Sequence, residues 1–289
     1  MFDQTFSHYA IIAPSSPATE ETRLDCLAQL RADGESAAWM PHVSDGSVLA
    51  HLSASPEARA ADLMQAWRDP ATAAILCMRG GTGAAQLLPL LDWDLLRARR
   101  LPLLGYSDVS ALHLAMLKMD AGIPVVAPML TLYPKAKNDP YLRQSWRNAF
   151  SGNDIQQILP PPGQKLEFLR SGTVTALPIA TNITVAASLC GTPYLPDTAG
   201  KIVILEDIGE EPRRLDRSLT QLHQSGFFEN CAAIVFGQFT DCGDAAQLRE
   251  LCLRALDWTA GPVVTGFPYG HELPFAVIRL DRQLHLAPQ

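Results

Sequence analysis

The feature that most constrains the fold is a regular alternation of short apolar runs and amphipathic segments in the first half of the chain. The runs YAIIAP (9–14), SAAWMP (36–41) and AAILCM (73–78) have the length and composition of buried strands. Between them, residues 20–34 and 55–70 have the apolar spacing of helices, and a Gly or a Pro ends each. This alternation predicts a parallel sheet with helices on both faces.

The second half of the chain has a different pattern. Residues 134–172 are rich in Gly, Pro, Asn and Asp, which are typical of turns. Beyond them, the pattern predicts one clear helix over 213–226 and short strands within 201–207, 231–239 and 261–268.

These patterns predict an α/β protein of two domains. The N-terminal domain, residues 1–150, contains a Rossmann-like parallel sheet. A linker spans residues 151–172, and a smaller, β-rich α+β domain follows over residues 173–289.

Charge and cysteine usage exclude several classes of partner. The 289 residues include 23 Lys and Arg against 30 Asp and Glu, for a net charge of −7, and no basic run is interleaved with aromatic residues. We therefore expect neither nucleic acid nor membrane as a partner. The six cysteines lack the spacing of a zinc site, and we expect no metal and no cofactor. With no secretion signal and no long apolar segment, the sequence predicts a cytoplasmic protein with reduced thiols.

A serine stands at a sharp bend in the stretch LPLLGYSDVSALH (101–113). The apolar residues before Gly105 predict a short buried strand, and the spacing after Asp108 predicts a helix. Ser107 at this bend has two interpretations. It is either a helix cap, or the nucleophile of a strand-turn-helix elbow, although Val109 stands where the second glycine of GxSxG would be.

A nucleophilic serine needs a base and an acid elsewhere in the chain. Among seven histidines, His271 stands apart, because it follows a strand in a loop with glycines at 266 and 270. Glu206 lies at the carboxyl end of the apolar run KIVIL, where a carboxylate needs a partner. A histidine would serve as that partner.

A glycine-rich loop, RGGTG (79–83), follows another predicted strand. Carboxyl ends of parallel strands meet at one edge of a sheet, so this loop and the bend at Ser107 should lie together. The loop is either a tight turn, a phosphate cradle or part of a catalytic site. Because it lacks a GKS/T ending and a GxGxxG spacing, nucleotide binding is the weaker alternative.

Several long motifs carry a family resemblance. The stretches IIAPSSP, DPATAAILCMRGGTG, GYSDVSALHLAM, SLCGTPYLPDTAGKIVILEDIGEEPRRLDRSLTQL and TGFPYGHE resemble the LD-carboxypeptidases. These are cytoplasmic serine peptidases that remove the C-terminal D-Ala from murein tetrapeptide, and the family includes the microcin C self-immunity proteins. The resemblance implies a homodimer and a triad of Ser107 as nucleophile, His271 as base and Glu206 as the acid that orients the histidine.

The same mechanism requires donors for the oxyanion and for the substrate carboxylate. The N–H of Asp108 and a backbone N–H of the RGGTG loop, that of Gly81, are the expected oxyanion donors. Arg79 is a candidate for binding the free carboxylate of the peptide, although it could equally bond loop carbonyls. Thr82, where family members usually have Tyr, leaves this loop without an aromatic ring and so favours a small charged leaving group over a base.

Two other functions stay open at this point. One is hydrolysis of a peptidyl or aminoacyl-nucleotide conjugate, as in microcin C self-immunity. The other is a non-catalytic protein that binds muropeptides, which the joint presence of Ser107, Glu206 and His271 disfavours.

Overall fold

A computed structural model describes residues 5–288 of the chain. The elements of the first half are β1 (Tyr9–Ile12), α1 (Glu20–Ala32), β2 (Ala37–Trp39), α2 (Pro56–Arg68), β3 (Ala74–Cys77), α3 (Trp93–Ala98), β4 (Pro102–Gly105), α4 (Ser110–Lys118), β5 (Ile123–Val126), α5 (Tyr133–Ala136) and α6 (Pro140–Ala149).

The second half is also rich in regular structure. Its elements are β6 (Ile155–Gln157), β7 (Glu167–Arg170), β8 (Val174–Ala176), β9 (Pro178–Asn182), α7 (Ile183–Ser188), β10 (Ile202–Ile208), α8 (Pro212–Gln224), β11 (Ala233–Thr240), α9 (Ala245–Arg254), β12 (Val263–Thr265), β13 (Ile278–Arg279) and β14 (Gln283–Leu286). The described residues also form four 3-10 helices, at Ala84–Leu90, Ser107–Val109, Leu130–Leu132 and Ala255–Asp257.

The first sheet confirms the predicted parallel architecture. Its strand order is β13-β5-β4-β3-β1-β2, and all pairs are parallel except β13 with β5. The segment 2-1-3-4-5 is one of the two common doubly wound orders, which place ligands where the strand order reverses. Here that point lies between β1 and β3, so the loops after these strands flank a natural binding crevice.

The second sheet, β7-β12-β11-β10-β9, is parallel from β9 to β12, and only β7 pairs antiparallel. Strands β9 and β10 are buried over almost their whole length, which explains why the sequence there shows continuous apolar runs instead of alternation. A third, small sheet has the order β6-β14-β8.

Two features of the topology bear on the predicted domain boundaries. Strands β6 and β7 fall within 151–172, and they pair with β14 and β12 respectively. Strand β13 returns from the C-terminal part of the chain to pair with β5 in the first sheet. The division into 1–150, 151–172 and 173–289 stays a prediction. Through β13, a segment from the C-terminal part of the chain belongs to the first sheet.

The core is continuous and apolar. Its largest fully buried side chains include Trp67, Trp146, Phe228 and Phe236. The stretch AAQLLPLL, which has helical apolar spacing, forms a 3-10 helix with Pro89 inside it, and Pro89 has no N–H for a helical hydrogen bond. No helix within residues 5–288 is long and apolar enough to cross a bilayer.

Candidate active site

Ser107 occupies a strained bend directly after β4. Its φ of +61° is left-handed, a conformation that is rare for a residue other than glycine and that is concentrated at functional sites. A 3-10 turn over Ser107–Val109 then leads into α4. This is the geometry of a nucleophile elbow, and the side chain of Ser107 caps no helix through a hydrogen bond. A Cβ at Gly105 would lie 2.7 Å from Val109 Cγ1, so glycine permits the close packing of this bend.

A histidine and a glutamate from the second half of the chain complete a hydrogen-bonded relay with Ser107. His271 Nε2 lies 2.9 Å from Ser107 Oγ, and His271 Nδ1 lies 2.7 Å from Glu206 Oε2. Glu206 is fully buried in β10, and only 13% of the His271 side chain is exposed. The structure therefore brings together three residues that lie up to 164 positions apart in the chain.

The hydrogen bond between His271 and Glu206 fixes which nitrogen of the imidazole faces Ser107. The buried carboxylate of Glu206 accepts the hydrogen bond of His271 Nδ1–H, which leaves Nε2 free to accept the proton of Ser107. Burial raises the pKa of Glu206, and the hydrogen bond from His271 opposes that rise. Tyr106 packs edge-on against the imidazole with ring centroids 5.1 Å apart, and burial raises the pKa of this tyrosine to about 12.

A glutamine that sequence reasoning missed clamps the loop carrying His271. Gln238, in β11, donates to the carbonyls of Glu272 and Pro274 and accepts the N–H of Glu272. A Cβ at Gly270 would lie 2.5 Å from Gln238 Cβ, so only glycine permits this close approach. Nothing in the local sequence around Gln238 marks it for this role.

The glycine-rich loop lies directly on the elbow. A Cβ added at Gly80 would lie 3.0 Å from Ser107 Oγ. Gly81 has φ +119°, and its Cβ would lie 2.0 Å from Ser16 Oγ. Thr82 N–H donates to the same Ser16 Oγ at 3.2 Å, which ties the loop to the segment after β1. The backbone of this loop is therefore held beside the nucleophile, as expected of an oxyanion loop.

The side chain of Asp108 is buried and held in place by hydrogen bonds. Its Oδ2 accepts the hydroxyl of Ser15 at 2.6 Å and the N–H of Ala84 at 2.9 Å. Burial raises its pKa, and these hydrogen bonds and the nearby guanidinium of Arg59 oppose the rise. The carboxylate thus braces the elbow against the end of the glycine-rich loop. The backbone N–H of Asp108 remains a predicted oxyanion donor.

Arg59, in helix α2, completes this brace and was not predicted. Its buried guanidinium donates to the carbonyls of Pro14, Gly83 and Ala54. Amphipathic spacing alone cannot show that one arginine of a helix points inward.

Two grooves open at Ser107. The Arg79 groove, of about 470 Å³, is lined by Arg79, Thr131, His271 and neighbouring residues. The Glu210 groove, of about 310 Å³, is lined by Glu210, Thr184, Asp207 and neighbouring residues. Arg79 is exposed and donates to the carbonyl of Pro17 at 3.2 Å. It therefore bonds a loop carbonyl, and it also lines the groove, where binding of the substrate carboxylate stays a prediction.

No group of three or more His, Cys, Asp or Glu side chains within residues 5–288 is arranged to hold a metal ion. The chemistry that this site offers is that of a hydroxyl activated by an imidazole and a carboxylate. Its fold and its site are those of a serine peptidase built on a doubly wound α/β sheet.

Comparisons with known proteins narrow that class. The model of the LD-carboxypeptidase N-terminal domain matches residues 10–126, and the model of the C-terminal domain matches residues 176–286. The murein tetrapeptide carboxypeptidase of Pseudomonas aeruginosa is 34% identical over 288 residues, which cover 94% of this chain and 90% of that protein. The chain belongs to the LD-carboxypeptidase family, a family of serine-type carboxypeptidases.

Solved structures share the complete fold. The muramoyltetrapeptide carboxypeptidase of Oxalobacter formigenes matches with a TM-score of 0.78 at 24% identity, over 98% of this chain and 95% of that one. The microcin C7 self-immunity protein MccF matches with a TM-score of 0.82 at 20% identity, over 98% and 96%. At these identities the similarity establishes the fold. The substrate has to be inferred from the site.

Proposed function

We propose that this protein releases the C-terminal D-Ala from murein tetrapeptide, by cutting the bond between the L-centre of a diamino acid and D-Ala. The observation that carries the proposal is the relay from Ser107 through His271 to Glu206 at the bottom of two grooves. The relative from Pseudomonas aeruginosa, which bears the name of this activity and is 34% identical over nearly the whole chain, supports the choice of substrate.

The proposed reaction has two halves. Ser107 Oγ attacks the scissile carbonyl carbon while His271 Nε2 takes its proton, and Glu206 stabilises the imidazolium. The N–H groups of Asp108 and Gly81 hold the oxyanion. His271 then gives its proton to the leaving amine of D-Ala, which leaves an ester on Ser107 Oγ. A water, deprotonated by the same imidazole, hydrolyses that ester and restores the serine.

The experiment is mass spectrometry of the protein incubated with a defined murein tetrapeptide. The wild type should release D-Ala, and Ser107→Ala should lose the activity by several orders of magnitude, because members of a triad act as a unit. Ser151→Ala, an exposed serine beyond α6, is the matched control and should retain full activity. A Ser107→Ala variant with a tenth of the wild-type rate would refute the assignment of the nucleophile.

A second measurement separates this function from cleavage of a nucleotide conjugate. Arg79 lies in the groove that also contains His271, where it can bind the free carboxylate of the leaving D-Ala. Amidating that carboxylate should lower kcat/KM by about tenfold or more, the loss expected for a hydrogen bond to a charged group. Equal turnover of acid and amide, or faster cleavage of an aminoacyl-nucleotide analogue, would favour the conjugate as substrate.

We further propose a cytoplasmic homodimer. The cytoplasmic location is supported by the six cysteines, which are all free thiols. Burial raises the pKa of Cys26 to about 11 and that of Cys252 to about 12, so these thiols stay protonated and unreactive at neutral pH. Light scattering on the purified protein tests the dimer, and a monomer mass would refute it.

A further inference from the structure

The two grooves at Ser107 together describe how a peptide must lie. The Arg79 groove and the Glu210 groove share Gly81, Ser107 and Ile208 among their lining residues. A peptide whose scissile carbonyl lies at Ser107 Oγ has chain on both sides of that carbonyl. It therefore extends into both grooves, with its acyl part in one and its leaving group in the other.

The position of His271 sets the direction of the peptide. The leaving amine must take its proton from His271 Nε2, so it has to lie on the side of the elbow that the imidazole faces. His271 lines the Arg79 groove and is not part of the wall of the Glu210 groove. The leaving group thus occupies the Arg79 groove, and the acyl residue, with its side chain, occupies the Glu210 groove.

The two grooves carry opposite charge. Among the described residues that line the Arg79 groove, Arg79 is the one with a permanent charge. The charged residues that line the Glu210 groove are Asp108, Asp207 and Glu210, all of them acids. A substrate that suits both grooves has an anionic leaving group and a cationic group on its acyl residue.

Only one of the three acids is available to a ligand. The carboxylate of Asp108 is braced as described above, and that of Asp207 accepts hydrogen bonds from Asn182, from Ile208 N–H and twice from Thr184. These hydrogen bonds hold both carboxylates in the protein framework.

Glu210 has weaker ties to the protein. The charged group nearest its carboxylate is the Arg214 guanidinium, at 3.7 Å, and 63% of the Arg214 side chain is exposed. An ion pair of this length on an exposed side chain contributes little and is readily exchanged. Glu210 itself is only 22% exposed and lines the groove, so a cation placed there would be partly shielded from water.

We propose that Glu210 is a specificity residue that binds an ammonium group on the side chain of the acyl residue, the residue whose carbonyl is attacked. This inference rests on the proposed carboxypeptidase function, which already names a diamino acid, and it assigns the residue that recognises the side chain of that diamino acid. An ammonium in contact with a shielded carboxylate forms a charge-assisted hydrogen bond, which is about twice as strong as a neutral one. The enzyme therefore prefers a diamino acid to a neutral residue of the same length.

The test uses two tetrapeptides that differ only at the third residue, lysine in one and norleucine in the other. Norleucine has the same aliphatic chain as lysine and lacks the ammonium. The wild type should hydrolyse the lysine peptide with a kcat/KM at least tenfold higher. In Glu210→Gln this ratio should fall below threefold, since the amide carries no charge.

The matched control is Glu211→Gln. Glu211 is the next residue, is exposed and pairs with Arg213 outside the groove. It should keep the wild-type ratio. A purely structural role of Glu210 would lower kcat/KM for both peptides by the same factor and leave the ratio unchanged, which would overturn the inference.

The experiment also separates failure of the inference from failure of the proposed function. If the wild type hydrolyses both peptides at equal rates, the carboxypeptidase function stands and the role of Glu210 is wrong. If the wild type releases D-Ala from neither peptide, the proposed function itself is wrong, and the role of Glu210 is refuted with it.

Discussion

We predict that His113, a buried imidazole, lowers the stability of this protein at acidic pH. It lies in helix α4, directly behind the elbow, and is fully buried. Its Nε2–H donates to the carbonyl of Leu103 in β4 at 3.1 Å, and its Nδ1 is buried without a hydrogen-bond partner. Burial lowers the pKa of His113 to about 4.

The sign and the size of the effect follow from this pKa. An unfolded chain binds a proton at a histidine below a pH of about 6.5, whereas folded His113 binds one only near its own pKa of about 4. Between these values the unfolded state carries more protons, so the free energy of unfolding decreases as the pH falls. The difference of about 2.5 pKa units corresponds to about 3 kcal/mol in full, of which about 2 kcal/mol is lost at pH 5.

The assay is urea unfolding between pH 8 and pH 5, comparing the wild type with His113→Gln and His113→Leu. Glutamine keeps a donor for Leu103 and leucine does not, but neither side chain titrates. Both variants should be less stable than the wild type at pH 8, because each disturbs a packed site.

The pH dependence distinguishes titration from packing. The wild type should lose about 2 kcal/mol more than either variant over this range. Parallel pH profiles for all three proteins would refute the role of His113. Water reaching the imidazole and raising its pKa would produce that result.

Three further predictions concern the site. Gly81→Ala should lower kcat at least tenfold while the protein stays folded, because the new Cβ would lie 2.0 Å from Ser16 Oγ and displace the glycine-rich loop, whose N–H is the predicted oxyanion donor. Circular dichroism and steady-state kinetics check this. Asp108→Asn should lower the free energy of unfolding by about 1–3 kcal/mol in urea titrations, because the amide replaces a charged acceptor shared by Ser15 and Ala84; an unchanged midpoint would contradict the brace. Glu206→Gln should lower kcat but retain more activity than loss of the nucleophile, and equal losses in kcat for Glu206→Gln and Ser107→Ala would contradict this prediction.

The sequence by itself determined the local elements and their order. The apolar runs in the sequence form strands β1, β3, β4 and β10, which are four to seven residues long. The bend at Ser107 follows the strand that the apolar run before Gly105 predicts. The formation of these elements depends on the secondary-structure propensities of neighbouring residues and on the burial of whole segments. Both leave a pattern in the sequence. The motifs also pointed to Ser107, Glu206 and His271 through their family resemblance.

Only the tertiary structure decided how those residues meet. The pairing of β10 with β9 and β11 buries Glu206 in the second sheet, where it reaches His271. The clamp by Gln238 holds the loop from which His271 reaches Ser107. The inward orientation of Arg59 and the opposite charges of the two grooves are likewise contacts between segments far apart in the chain. Such contacts depend on which helix face and which strand edge become buried, and this choice is made by the packing of the whole molecule.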